Sequence, residues 1–158
     1  MVKGVEWAFE IPIRTDTLFS WGRVFFVYGA GEGDNKLVTS AIRSAAAGDP
    51  FVCNNPGLIR DFVYVDDVAE AFCKMLDTAC GGVYNIGSGR GTPLGDIECC
   101  VAAAVSGGAV PHDAEQALDF QSGVVADTTT AADKLGFVAA HSLEQGIAAH
   151  ANELAEKN

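Results

Sequence analysis

Arg60-Asp61-Phe62-Val63-Tyr64-Val65-Asp66-Asp67 is the stretch that decides the fold, together with Gly82-Val83-Tyr84-Asn85-Ile86-Gly87-Ser88-Gly89, which follows at strand–helix–strand distance. The first segment reads as an apolar strand, Ile59 to Val65, fronted by one arginine and ending on two carboxylates. Val68, Ala71, Phe72 and Met75 then repeat at i, i+3, i+4, i+7, the stripe of an amphipathic helix over Val68–Asp77 that Asp66 or Asp67 can cap. Gly82–Ile86 is apolar and β-branched again, so the two strands imply at least one parallel crossover, the signature of an α/β unit.

Outward from this centre, Leu18–Tyr28 (LFSWGRVFFVY) reads as a buried strand, followed by a loop at Gly29-Ala30-Gly31-Glu32-Gly33. Lys36–Ala47 reads as a helix with Leu37, Ile42 and Ala45 toward the core, stopped by Gly48-Asp49-Pro50. Phe51-Val52-Cys53 reads as a short strand and Asn54-Asn55-Pro56-Gly57 as a turn. Thr92 as cap and Pro93 in the first helical position open a helix to about Val105. A short helix from Asp127-Thr128 to Leu135 closes at Gly136, and Ser142-Leu143-Glu144-Gln145 is a capping box for a last helix toward Glu156. Residues 1–17, with Pro12 breaking the alternation of Trp7, Phe9 and Ile11, read as an arm or edge strand, and 18–158 as one α/β domain.

Bulk properties exclude some partners. A formal net charge of −11 argues against nucleic acid and against an anionic membrane, both of which need a basic face. No apolar run reaches spanning length and the N-terminus lacks a signal-peptide pattern, so the expected address is the cytoplasm. The five cysteines form no CxxC pair, which fits reduced thiols, and the three histidines have no metal-ligand spacing. No metal site is expected.

Chemistry leaves Arg60 open between gripping a phosphate bidentately and bridging to Asp61 or Asp66. Asp66-Asp67 fits helix capping better than paired-carboxylate acid/base work. Gly87-Ser88-Gly89-Arg90-Gly91 and Gly29–Gly33 both fall short of G-x-G-x-x-G, with Thr92 and Asp34 at the sixth position, and read as tight turns; Arg90 can point toward a ligand. Cys99-Cys100 lie inside a helix with no histidine near them in sequence, which suits an apolar role rather than a nucleophile.

Four ordered segments together resemble the C-terminal, substrate-binding half of the extended short-chain dehydrogenase/reductase family, the NAD-dependent nucleotide-sugar epimerases and dehydratases. They are Arg23–Gly31 (R-x-F-N-x-Y-G-P in the family), Arg60–Asp67 (R-D-F/Y-x-x-V-x-D), Gly82–Gly89, and Ala126–Thr129 with Leu135-Gly136-Phe137 (D-x-S-K…L-G-W/F). The resemblance implies a small, partial Rossmann-like substrate lobe with a short parallel sheet and flanking helices. It implies that Arg60 grips a nucleotide-sugar pyrophosphate, that Phe26 lies at the seam between nicotinamide and sugar, and that Leu37, Val38, Phe51 and Val52 form the nucleobase slot. Phe26 and Ala30 stand where the family has asparagine and proline, and Asp119–Ser122 lacks the second phosphate-binding arginine.

The family's hydride chemistry, with NAD or NADP, needs Tyr-x-x-x-Lys. Four positions beyond Tyr28, Tyr64 and Tyr84 stand Glu32, Val68 and Ser88, so the motif is absent, as is the N-terminal glycine-rich βαβ unit. The expectation is a truncated relative with no catalytic residue and no cofactor bound by this chain alone, retaining nucleotide-sugar binding. The alternatives are an oligomeric interaction protein with a vestigial cleft, or a subunit that completes the enzyme in trans. Exposed apolar faces where the missing half would pack imply a homo-oligomer or a partner.

Overall fold

The computed structural model describes residues 18–106 and 119–156, with backbone alone at Ser106 and 119–122. The sequence reading of residues 1–17 therefore lies outside the described residues. The described chain alternates strands and helices: β1 (Ser20–Val24), β2 (Phe26–Tyr28), α1 (Leu37–Ala47), β3 (Leu58–Arg60), β4 (Phe62–Tyr64), α2 (Val65–Thr78), β5 (Gly82–Ile86), β6 (Thr92–Pro93), α3 (Leu94–Ser106), β7 (Asp119–Val124), α4 (Thr129–Leu135) and α5 (Leu143–Glu156).

The strand expected over Leu18–Tyr28 is two strands with different partners. β1 runs parallel to β5, with Trp21 opposite Val83, and β2 runs parallel to β4, with Val27 opposite Val63. Phe25 makes the transfer: its N–H donates to Ile86 O, and the next N–H, of Phe26, donates to Asp61 O. The strand expected at Ile59–Val65 breaks likewise at Asp61, whose N–H donates to Val124 O. β3 forms a separate sheet between β6, antiparallel, and β7, parallel. Only a strand partner could reveal these breaks, because the apolar pattern runs on through them.

Two further expectations are corrected. Thr92-Pro93 is not a helix start but the short strand β6, and the helix opens at Leu94; proline fits there because β6 has one strand neighbour among the described residues and needs no second donor. Phe51-Val52-Cys53 takes no strand conformation. Phe51 instead packs against the core while Val52 stands exposed.

The core has two parts. Tyr28, Val38, Ile42, Tyr64, Ile97 and Ile147 fill the space where β2 and β4 meet α1, α3 and α5. Met75, Tyr84, Ile86, Leu135 and Phe137 join α2, β5 and α4. The expected buried strand is only half buried: Val24, Phe26 and Val27 are exposed, as is Phe72 from the predicted helix stripe, whose ring lies against Gly22.

Candidate functional site

A cavity of about 650 Å³ opens along β2 and the loop that follows it. Its apolar wall includes Phe26, Phe62, Leu37 and Val38, and its charged groups are Glu32, Lys36 and Arg60. Three elements converge there for reasons visible in the sequence. β2 ends at Gly29, where φ is +127°, and a side chain at that position would meet Tyr64 and Val65 at 2.8 Å. The glycine lets the chain turn away from the sheet at once. The loop then enters α1, which ends at Gly48 in the left-handed conformation. β3 delivers Arg60 from the opposite side, paired with Thr92 of β6.

Arg60 donates from Nη1 to the Ile59 carbonyl at 2.8 Å, and its guanidinium carbon lies 5.5 Å from the centre of the Phe26 ring. That cation–π contact keeps the charge beside the Phe26 ring on the cavity wall. Phe26 is itself held by Phe62, ring centres 6.0 Å apart, the two being register partners of β2 and β4. Phe26, Leu37, Val38 and Arg60 are thus brought together. Phe51, Val52 and Arg90 are not on this wall. Arg90 is exposed; its backbone N–H donates to Ser88 Oγ, and its charge is among the influences that lower the Glu144 carboxyl.

Sequence reasoning missed several groups. Lys36 joins Arg60 on the cavity wall, and Glu32 faces it from the loop. Glu32 Oε2 accepts from the Thr39 hydroxyl at 2.7 Å and from the Thr39 N–H at 3.3 Å, and Thr39 Oγ1 lies 2.8 Å from His150 Nε2. No local pattern announces a contact between positions 39 and 150. The spacing of Glu32 and Thr39, seven residues across a loop–helix junction, fits no capping box either.

The two aspartates on which the motif rests have roles the sequence did not assign. Asp61 is fully buried: Oδ1 accepts from the Ser88 N–H and hydroxyl at 2.7 and 2.6 Å, Oδ2 from the Gly89 and Ala126 N–H groups at 2.9 and 3.0 Å. Asp67 does not cap α2, which begins earlier, at Val65, after Tyr64. It is buried in the first turn and accepts from the N–H groups of Ala140 and His141 and from His141 Nδ1 at 2.9 Å.

Neither glycine-rich turn fits the pyrophosphate of a dinucleotide. The Ser88 and Gly89 amides, which such a loop would turn on the phosphates, are donated to Asp61. In the other turn the Glu32 N–H closes on Gly29 O and the Lys36 N–H on Gly33 O. The three tyrosines are all shifted upward, first by burial; the Tyr28 hydroxyl donates to Leu143 O and that of Tyr84 to Cys80 O. Burial likewise pushes the Cys100 thiol up to about 11, with Glu144, Asp96 and Cys99 adding to it. A thiol held protonated is a poor nucleophile. Among the described residues no group of three or more histidine, cysteine, aspartate or glutamate side chains is placed to hold a metal, and no helix is long and apolar enough to cross a membrane.

Comparison with known proteins gives a consistent picture. The sequence model of the NAD dependent epimerase/dehydratase family matches residues 13–87. CDP-abequose synthase of Salmonella typhimurium is 34% identical over 80 residues, 48% of this chain and 27% of that protein. The structure of MoeE5 in complex with UDP-glucose and NAD superposes with a TM-score of 0.72 at 26% identity, covering 89% of this chain and 48% of that one. UDP-glucose 4-epimerase of Thermus thermophilus, solved with NAD, gives 0.76 at 21% identity, covering 96% of this chain and 51% of that one. The chain spans less than half the length of the curated relatives it matches. Its α/β fold matches part of the Rossmann-type fold of these structures, and residues 13–87 are similar in sequence to the NAD-dependent epimerase/dehydratase family.

Proposed function

We propose that this chain is a nucleotide-sugar-binding lobe of the epimerase/dehydratase type, with its ligand held along the cavity beside β2. The observation that carries this reading is Arg60 placed over the Phe26 ring, its guanidinium carbon 5.5 Å from the ring centre, on a 650 Å³ cavity that Leu37 and Val38 also line. The guanidinium fork is suited to the paired oxygens of a diphosphate, and the apolar wall suits a nucleobase. MoeE5, bound to UDP-glucose and NAD, supports the choice of ligand class. This chain contains no Tyr-x-x-x-Lys, and its glycine-rich turns do not suit a dinucleotide. Hydride transfer with NAD therefore calls for a tyrosine–lysine pair from elsewhere, in a longer protein or in a partner.

Calorimetric titration with UDP-glucose tests the reading. Saturable binding that weakens about tenfold or more in Arg60→Ala is the expected result, given the worth of a charge-assisted hydrogen bond. Silence with UDP-, dTDP-, CDP- and GDP-sugars would sink it. A second reading, an oligomeric or partner-binding protein, is favoured by the exposure of Leu18, Val24, Phe72 and Leu76, the last 81% exposed, and by β1 having one strand neighbour among the described residues. A concentration-independent monomer in analytical ultracentrifugation would remove self-association from it.

A further inference from the structure

Glu32, Thr39 and His150 come from the loop after β2, from α1 and from α5, and they form one hydrogen-bonded chain. Its direction follows from proton counting. Thr39 Oγ1 carries a single proton, and a carboxylate accepts only, so that proton goes to Glu32 Oε2. The contact between Thr39 Oγ1 and His150 Nε2 then has the imidazole N–H as its donor. Thr39 and His150 are buried, at 0% and 1% exposure, so water does not compete at either. The Thr39 backbone N–H, in the first turn of α1, also reaches Glu32 Oε2. At that position a helix has no carbonyl of its own to offer the amide.

Glu32 nevertheless belongs to the wall of a cavity that also presents Lys36 and Arg60. A carboxylate free to swing over that space would oppose any anionic ligand, and the opposition is large where water is partly excluded. We propose that Thr39 and His150 act as a latch that turns the Glu32 carboxylate onto the start of α1, so that the cavity admits a phosphate-bearing ligand. Thr39 is then a positioning residue that acts through Glu32, and it governs ligand charge rather than ligand shape. The inference rests on the nucleotide-sugar reading for its ligand but not for the latch itself.

Two measurements on the full chain separate these claims. The first is titration with UDP and with uridine. Thr39→Val removes the hydroxyl and keeps the side-chain shape; it is expected to weaken UDP about tenfold and leave uridine unchanged, while Thr39→Ser retains both affinities. Adding Glu32→Gln to Thr39→Val is expected to restore UDP binding, because the released group no longer carries charge. Equal UDP affinity in Thr39→Val and the parent chain, equal losses for UDP and uridine, or no recovery in the double variant would each overturn the latch.

The second measurement needs no ligand. Hydrogen exchange at the Thr39 amide is expected to quicken at least about tenfold in Glu32→Ala, which alters a half-buried loop residue and leaves the core intact. Unchanged exchange overturns the latch. If the parent chain binds neither UDP nor uridine, the nucleotide-sugar reading fails, and the exchange result alone decides whether the latch exists.

Discussion

Asp61 stands inside the stretch of sequence that decides the fold, yet its role depends on residues 27, 28 and 65 positions away. Four donors meet its two oxygens in a site closed to solvent. A buried carboxylate in that position is stable only while every donor stays in place. Asp61→Asn turns one acceptor oxygen into a donor facing other donors, and about 3 kcal/mol of stability should disappear, read from urea unfolding midpoints at constant slope. Gly87→Ala should be costly from the other side, by about 1–3 kcal/mol, because a Cβ there would lie 2.6 Å from Ala126 Cβ and 2.7 Å from Asp61 Oδ2. The cysteines give a separate check. Alkylation of the folded chain at pH 8 should label exposed Cys73 well before Cys100, whose thiol burial raises to about 11; mass spectrometry of digested samples reads the order. At this scale the sequence offered the right residue types and the wrong partners. For Arg60 a bridge to Asp61 or Asp66 stood open beside a phosphate grip, whereas Asp61 serves the turn at Ser88; and Asp67, one of two candidate caps, clamps the segment at His141.

The helix ends at Gly48, Gly136 and Ser142 were legible because their signals are local, unlike the starts of α2 and α3. Gly48 and Gly136 close α1 and α4 in the left-handed conformation, and Ser142 and Gln145 form the expected reciprocal box at the start of α5: the Ser142 N–H donates to Gln145 Oε1 at 2.9 Å and the Gln145 N–H to Ser142 Oγ at 3.2 Å. Ser142→Ala should therefore cost about 1 kcal/mol, seen as a lower thermal midpoint. The same substitution should alter the acid limb of stability. The Glu144 carboxyl is held below its usual value first by its hydrogen bond with Ser142, so its contribution is present above the ordinary carboxylate range and is lost as pH falls through the lowered value. Without the Ser142 hydroxyl, that part of the pH dependence, from the ordinary carboxylate range downward, should flatten. One crowded contact on α5 carried no signal in the sequence. Gly146 lies directly against the Tyr28 hydroxyl, so close that a Cβ would collide with it. Strand partition was illegible for a related reason: Phe25 and Asp61 interrupt apolar runs through bonds to distant carbonyls, and nothing in a period of two records who the neighbour is.

At the scale of the molecule, the sequence located four of the seven predicted binding residues on one cavity: Phe26, Leu37, Val38 and Arg60. Phe26 and Arg60 belong to segments with an order and spacing that motif reading can use, whereas Leu37 and Val38 came from the implied nucleobase slot. Phe51 and Val52, from the same implied slot, and Arg90, from the glycine-rich turn, lie on loop backbone away from this wall. In a chain of net charge −11, two cations on one cavity make ligand capture depend on a local field against the general one. UDP affinity should accordingly fall as salt rises from 50 to 500 mM (about a threefold to tenfold loss), while uridine affinity stays flat. The buried cluster at Asp61 also bears on the order of events as the chain folds. α1 and α2 need only neighbouring residues to form, but the turn at Ser88–Gly89 cannot lock until both the β3–β4 junction and the segment at Ala126 have arrived. That knot is tied last and untied first. Asp61→Asn should therefore raise the unfolding rate far more than it slows refolding, leaving a chevron whose refolding arm is nearly that of the parent chain.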